Sequence, residues 1–216
     1  MRGGGTMTTL KAVGRRGRTL VLLMAVFAMP ALLSGCATAA DYPQSTAGQL
    51  LVATPRLIDP HFAHTVIYVV AHDGDGAFGL VINRPYGEEA LQNVLEAFGI
   101  DDAEGIGKVR LYYGGPVQGE RGLILHSTDY SGPSTLAIGH GLALSTGPDV
   151  LEALASGEGP HQQLVLLGYA GWGPQQLDGE IAHQDWLLAP ADPATIFADD
   201  PSSTWERVIK TAGLPM

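Results

Sequence analysis

Cysteine is almost missing from this chain, since Cys36 is the only one among its 216 residues. A single cysteine cannot form an internal disulfide, so packing alone must stabilise the fold. The seven histidines include no HExxH, HxH or Cys/His cluster, so their spacing does not indicate a metal site. A GxSxG motif is also lacking, which leaves a hydrolase of that type without support. No motif for a cofactor is found either.

Basic residues are scarce after the first 18 residues. Five of the twelve Lys and Arg residues precede residue 19, whereas none of the 22 acidic residues comes before Asp41. From Cys36 onward, seven basic residues therefore face 22 acidic ones, a formal net charge of −15. Such a domain repels nucleic-acid phosphates and anionic lipid surfaces, which disfavours direct binding to nucleic acid.

The longest apolar run near the N-terminus is too short to span a membrane. Residues 19–33 carry no charge, but as a helix they would extend only about 22 Å, against about 30 Å of hydrocarbon core. Pro30 weakens such a helix further. A basic start, a short apolar segment and small residues after it are typical of a secretory signal, which begins at Met1 or Met7.

The end of this leader, Leu33-Ser34-Gly35-Cys36, resembles the bacterial lipobox, in which the cysteine thiol receives a lipid and becomes the new N-terminus. The alternative is an ordinary apolar cysteine in an anchor helix. We therefore predict a signal peptide over residues 1–35, a small and polar tether over 36–48, and a folded domain over 49–214. The lipobox implies an envelope location, and Ala37 in place of Asp implies the outer membrane if the cell is Gram-negative.

Local patterns in the domain predict more strands than helices. Apolar and β-branched runs predict strands at 49–53, 65–71, 77–83, 109–113, 122–126, 134–137, 142–145, 163–167 and 186–189. Helical spacing and Gly or Pro boundaries predict helices at 89–98, 148–155, 174–183 and 203–212. Because several strands are joined by turns too short for a helical crossover, we expect an α+β fold with a mixed or mainly antiparallel sheet.

Five segments in order, ATPRLIDPHFAHTVIYV, GAFGLVINRP, YYGGPVQGERGLILH, LLGYAGWGPQQLDGEI and WLLAPAD, resemble the YqgE/AlgH family from about Leu50 to Leu214. The resemblance implies a bifurcated sheet that contains a small closed β-barrel, surrounded by helices. It also implies a family of undefined molecular function, in which AlgH was named as a regulator of transcription and most members are cytosolic. The leader and lipobox are where this chain departs from that pattern.

Two stretches offer candidate ligand-binding residues. Asn83 and Arg84 close a predicted strand, and Arg84 could bind an anionic ligand or form a salt bridge within an acidic domain. The stretch GYAGWGP reads as a turn between a strand and a helix whose amides could hold an anion, or as a turn over which Trp172 packs. Two glycines of the YYGGPVQGERGLILH segment are added to these stretches, so the candidates are Asn83, Arg84, Gly114, Gly115, Tyr169, Trp172 and Gly173.

Three functions remain open on this evidence. The first is a non-catalytic binding domain attached to a membrane by lipid on Cys36, with an unknown protein or small-molecule partner. The second is an enzyme that acts on a small ligand near Arg84 and the GYAGWGP stretch. The third is the regulator that the AlgH name implies, which requires DNA binding by an acidic domain or a partner that binds DNA.

Overall fold

The computed structural model describes residues 45–101 and 104–212. The predicted leader, Cys36 and most of the predicted tether lie outside the described residues. Within those two ranges, no helix is both long enough and apolar enough to cross a membrane.

The described chain forms ten strands, five α-helices and a short 3-10 turn. The strands are β1 (Gln49–Ala53), β2 (Val66–Asp73), β3 (Gly76–Val81), β4 (Pro85–Ala90), β5 (Lys108–Tyr113), β6 (Val117–Ser127), β7 (Thr135–Gly139), β8 (Leu142–Ser145), β9 (Gln163–Trp172) and β10 (Trp186–Pro190). The helices are α1 (Leu91–Ala97), α2 (Asp149–Ser156), α3 (Gln176–Ala182), α4 (Pro193–Ile196) and α5 (Thr204–Thr211), with the 3-10 turn at Pro201–Ser203.

The fold is α+β with a mainly antiparallel sheet, as predicted. The main path of the sheet is β10-β1-β2-β3-β9-β6-β8-β7, and only β5 and β9 pair in parallel. The sheet curls into a half-barrel. Its path ends at β10 and β7, so the pairing of the described strands does not show the closed barrel that the resemblance implied.

The sheet divides at β9. The first half of β9 pairs with β5 from Leu111↔Val165 onward, whereas its last residues pair with β3, from Gly79↔Ala170 to Ala77↔Trp172. Because β6 occupies the opposite edge of β9, β3 and β5 share one edge and diverge from it. This division is the bifurcation that the resemblance implied.

Apolar side chains cover both faces of the central strands. In β9, Leu164 and Leu166 face the interior of the half-barrel, together with Val208 and Ile209 of α5, whereas Val165 faces α1 and α2. Alternate residues of a strand point to opposite faces, so burial on both faces requires a continuous apolar run. The unbroken apolar run of β9 therefore matches its burial on both faces.

Two parts of the pattern were interpreted wrongly. The stretch GYAGW is not a turn, because β9 continues to Trp172, and Gly168 permits this with a φ of +74°. Residues 85–90 form β4, an edge strand. Its proline, glycine and two glutamates have low strand propensity, so the strand was not predicted. Helix α1 therefore begins at Leu91 and not at residue 89. The short α4 was also not predicted.

Candidate functional site

The predicted ligand-binding residues do not form one site. They fall into three groups in chain order: Asn83 and Arg84 at a cleft beside β4, Gly114, Gly115 and Tyr169 at the division of the sheet, and Trp172 and Gly173 at the end of β9. Each group makes contacts that explain its residues without a ligand.

Arg84 fastens the loop that precedes β2. Its Nη1 donates hydrogen bonds to the carbonyl oxygens of Pro60 at 3.0 Å and His61 at 2.9 Å, and its Nη2 donates to that of Ala63 at 2.6 Å. The partners are backbone carbonyls and not the carboxylate that the acidic composition suggested. A charged donor with several acceptors makes a strong and directional clamp.

Asn83 binds the part of the same loop that leads into β2. Its Oδ1 accepts from the Val66 amide at 2.8 Å, and its Nδ2 donates to the His64 carbonyl oxygen at 3.0 Å. The residue is only 7% exposed, so its amide contributes to the surface hardly at all. Asn83 and Arg84 therefore act as a pair that fixes one loop to the end of β3.

An open cleft of about 520 Å³ lies beside this clamp. Its lining is polar and aromatic: His61, Asn83, Arg84, Pro85, Tyr86 and Tyr113. The Tyr113 hydroxyl and His61 Nδ1 are 3.1 Å apart, and burial raises the pKa of Tyr113 although the positive charge of Arg84 opposes this shift. Tyr86 is 62% exposed at the rim, so an aromatic ring is available to a partner there.

Replacing Arg84 by lysine tests whether the clamp is structural. One ammonium group keeps the charge but cannot reach three carbonyl oxygens in the geometry of a guanidinium. We expect Arg84→Lys to lower the free energy of unfolding by about 1–2 kcal/mol and to accelerate tryptic cleavage after the exposed Arg56. Urea denaturation and timed proteolysis measure both effects. Arg121→Lys is the matched control, since Arg121 bonds only Gln118, and equal behaviour of the two variants would contradict the clamp.

Three glycines allow the backbones to approach at the division of the sheet. The Gly114 amide donates to the Leu167 carbonyl oxygen at 2.8 Å, and a Cβ on Gly168 would lie 2.5 Å from the carbonyl oxygen of Gly115. A Cβ on Gly114 or Gly115 would overlap the backbone of β9. Tyr169 is half-buried and its ring packs 4.9 Å from that of Phe78. These glycines are needed for the crossing of strands, whatever ligand the protein binds.

Trp172 belongs to a buried aromatic cluster with Phe62 and Trp186. The rings of Phe62 and Trp172 stack at 6.4 Å, and that of Trp186 meets Trp172 edge-on at 6.2 Å. Both indole N–H groups donate to the same Glu180 Oε2 at 2.8 Å, and Gln176 donates to the other oxygen at 2.9 Å. The carboxylate of α3 thus joins the ends of β9 and β10, and Trp172 packs inward as the second interpretation of GYAGWGP proposed.

Gly173 lies just after β9, and its amide is already engaged. The Gly173 N–H donates to Gln176 Oε1 at 3.1 Å. An anion at this position would have to displace that side chain. The anion-binding interpretation of GYAGWGP therefore gains no support from the geometry.

A buried polar chain links β6, β7 and β8, and no sequence motif indicated it. His126 Nε2 lies 2.9 Å from Ser145 Oγ, which lies 2.8 Å from Thr135 Oγ1, and both His126 and Ser145 are fully buried. Because a carbonyl oxygen can only accept, His126 Nδ1 donates to the Ser127 carbonyl oxygen, at 2.8 Å. Ser145 is the last residue of β8. It lies 19 residues from His126 along the chain, so no local pattern indicates their contact.

The other histidines are also engaged in the fold or lie apart from one another. His72 is buried, with Nδ1 3.2 Å from the Thr46 amide and Nε2 3.5 Å from Asp178 Oδ2. Within residues 45–101 and 104–212, no three His, Cys, Asp or Glu side chains converge as metal ligands would. The arrangement thus offers hydrogen bonding and aromatic contact at one cleft, together with a polar network closed to solvent.

Known proteins share both the sequence and the fold. The AlgH-like family model, DUF179, matches residues 50–216. A UPF0301 protein of Methylococcus capsulatus is 55% identical over 171 residues, which cover 79% of this chain and 93% of the relative. A second UPF0301 protein from the same organism is 44% identical and covers 78% of this chain and 89% of the relative.

Two solved structures resemble this fold. The solution structure of the AlgH protein from Pseudomonas aeruginosa is 44% identical, with a TM-score of 0.68 over 80% of this chain and 92% of that one. A Corynebacterium diphtheriae protein is 22% identical with a TM-score of 0.61 over 82% and 91% of the two chains, and shows the fold alone. The family match and these identities show that this chain belongs to the AlgH-like UPF0301 family, for which no molecular function is defined.

Proposed function

We propose that this protein is a non-catalytic binding domain held at a membrane by lipid on Cys36. It presents the cleft beside β4 to a partner, with Tyr86 and Tyr113 as contact residues. The alternatives are a cytosolic location, as for most of the family, a regulator of transcription, and an enzyme that acts on a small ligand.

The engagement of Arg84 within the fold carries this proposal. An enzyme that acts on an anionic ligand needs its cation aimed at the ligand, but three carbonyl oxygens hold the Arg84 guanidinium against its own loop. Trp172 is likewise only 7% exposed and bonded to Glu180. A rigid loop beside an exposed tyrosine suits recognition of a partner better than chemistry.

The charge and the leader support the proposed location. A domain of net charge −15 from Cys36 onward repels nucleic acid, which disfavours the regulator as a direct DNA-binding protein. The same charge keeps the domain away from anionic lipid, so attachment requires a covalent anchor. The basic leader that ends at Cys36 supplies one by its resemblance to a lipobox.

Metabolic labelling with a fatty-acid analogue, followed by fractionation, tests the anchor. We expect the wild-type protein to carry the label and to sediment with membranes, and Cys36→Ser to lose both properties. Thr38→Ser, a conservative change two residues away, is the control and should behave as wild type. Recovery of unlabelled, full-length wild-type protein in the cytosol would contradict the anchor and leave the cytosolic alternative.

A further inference from the structure

Strand β7 is an uncharged free edge of the sheet. It pairs only with β8, and Leu136 is 56% exposed on it. No Lys, Arg, Asp or Glu occurs between Asp129 and Asp149. A second such stretch, between Glu158 and Asp178, contains the central strand β9, where burial explains the lack of charge. Burial does not explain the lack of charge in β7, because this edge strand is exposed.

The other two free edges carry features that prevent pairing. Strand β4 begins with Pro85, has an irregularity before Gly87 and presents Glu88, and β10 ends at Pro190. Proline, charge and bulges are the usual means by which edge strands avoid association. Strand β7 has an irregularity only after Ala137 and carries neither charge nor proline.

The register of β7 fixes which of its backbone groups point outward. Ser134 O accepts from the Thr146 amide, so in an antiparallel ladder Leu136 also points its backbone groups towards β8. Thr135 and Ala137 consequently point theirs to the free side. The Thr135 amide is taken by Gly132 O at 3.1 Å, which leaves Thr135 O as acceptor and the Ala137 N–H and C=O.

This arrangement is complementary to a second copy of itself. In an antiparallel pair centred on Leu136, Thr135 lies opposite Ala137 of the second copy, so each Ala137 N–H meets a Thr135 carbonyl oxygen. The exposed Leu136 then faces its own counterpart at the close spacing of a non-hydrogen-bonded pair, about 4.5 Å between Cα atoms. Two acidic domains can approach there because the stretch brings no like charges together.

We propose that β7 pairs antiparallel with β7 of a second copy about a two-fold axis at Leu136. Within the chain this edge is engaged near its two ends, where the Thr135 amide donates to Gly132 O and the Tyr68 hydroxyl lies 3.5 Å from Ile138 O. A five-residue strand buries less than the roughly 1,200 Å² of a stable interface, so the dimer is weak and depends on concentration.

Sedimentation equilibrium of residues 37–216 tests this pairing. The solved AlgH structure from Pseudomonas aeruginosa consists almost wholly of the matching domain, so the domain folds without the leader. We expect dimers to form as the concentration rises towards about 1 mM. Leu136→Glu sets two carboxylates face to face, and Ala137→Pro removes the outward N–H. Each should weaken dimerisation at least about tenfold, or 1.4 kcal/mol.

Leu188→Glu is the matched control, because Leu188 is the exposed leucine of the β10 edge, at 41%. It should leave the dimer unchanged, and circular dichroism should show all variants folded. A wild-type protein that stays monomeric at the highest concentration would overturn the proposal. So would a dimer that Leu188→Glu weakens as much as Leu136→Glu does.

Discussion

Replacing Gly115 by alanine is expected to lower the free energy of unfolding by more than about 3 kcal/mol, or to prevent folding altogether. Gly115 has a φ of +152°, in the region that favours glycine, and an added Cβ would overlap the backbone of Tyr169 and Ala170. A side-chain clash can be relieved by a rotamer change, but these atoms are main chain of the central strand. The strain therefore reaches the point where β3 and β5 diverge.

Gly119→Ala is the control for the loss of a glycine in the same segment. A Cβ on Gly119 has no atom within 4 Å, so we expect its stability to stay within about 0.5 kcal/mol of wild type. Urea denaturation followed by circular dichroism measures both variants. If Gly115→Ala unfolds at the same urea concentration as Gly119→Ala, the close crossing at β9 is wrong.

Replacing Glu180 by alanine is expected to lower the free energy of unfolding by about 2–6 kcal/mol, since two buried indole N–H groups lose their acceptor at about 1–3 kcal/mol each. Trp172 and Trp186 are 7% and 2% exposed, and both donate to the same Glu180 oxygen at 2.8 Å. Glu180 itself is half-buried, so water that enters in place of its carboxylate would bring the loss towards the lower end of this range. We expect the tryptophan fluorescence to shift to longer wavelength before global unfolding.

Glu180→Gln separates the acceptor from the charge. A glutamine carbonyl oxygen can take the place of Oε2. Gln176 can turn its own amide to accept from the new N–H group, although it then gives up its hydrogen bond from the Gly173 N–H. We expect this variant to lose only about 1 kcal/mol, the difference between a charged and a neutral acceptor. Equal losses for Glu180→Gln and Glu180→Ala would show that charge, and not the two indole bonds, stabilises the cluster.

Local sequence patterns were sufficient to predict an element where its own residues determine its structure. The hairpin between β2 and β3 closes with Asp73 opposite Gly76, on the DGDG stretch that separates the two predicted strands. Helix α2 ends before Gly157, which has the left-handed φ of +79° expected after a helix. In each case the turn residues and the spacing of apolar residues indicate the same element, and both lie within a short segment of the chain.

The predicted bounds of strands were wrong where pairing with other strands of the sheet decides which residues are extended. Strand β4 has few strand-forming residues, but β5 offers it a ladder of partners from Pro85↔Tyr112 to Ala90↔Lys108. Strand β9 runs through Gly168 because β6 and β3 continue beside it. Hydrogen-bond partners from distant segments outweigh local propensity in a sheet.

The sequence singled out the candidate residues and one interpretation gave the packing of Trp172, but it did not predict the backbone partners of Asn83 and Arg84. Asn83, Arg84 and Trp172 all take part in specific contacts, whereas the ligands considered for them have no support in the geometry. The partners of Arg84 lie more than 20 residues away, at Pro60 to Ala63. Glu180 was not singled out, because nothing in its neighbourhood indicates that two tryptophans share it.

The sequence by itself determined the acidic composition from Cys36 onward, the clustering of basic residues before residue 19, the α+β class and the family. Each of these depends on composition, short-range period or ordered motifs, which need no coordinates. Only the tertiary structure decided that Arg84 and Asn83 fasten a loop, that the glycines serve a crossing of strands and that β7 is a free edge. Many of the partners in these contacts are backbone carbonyl and amide groups, and since nearly every residue carries both, such pairing leaves no trace in the sequence.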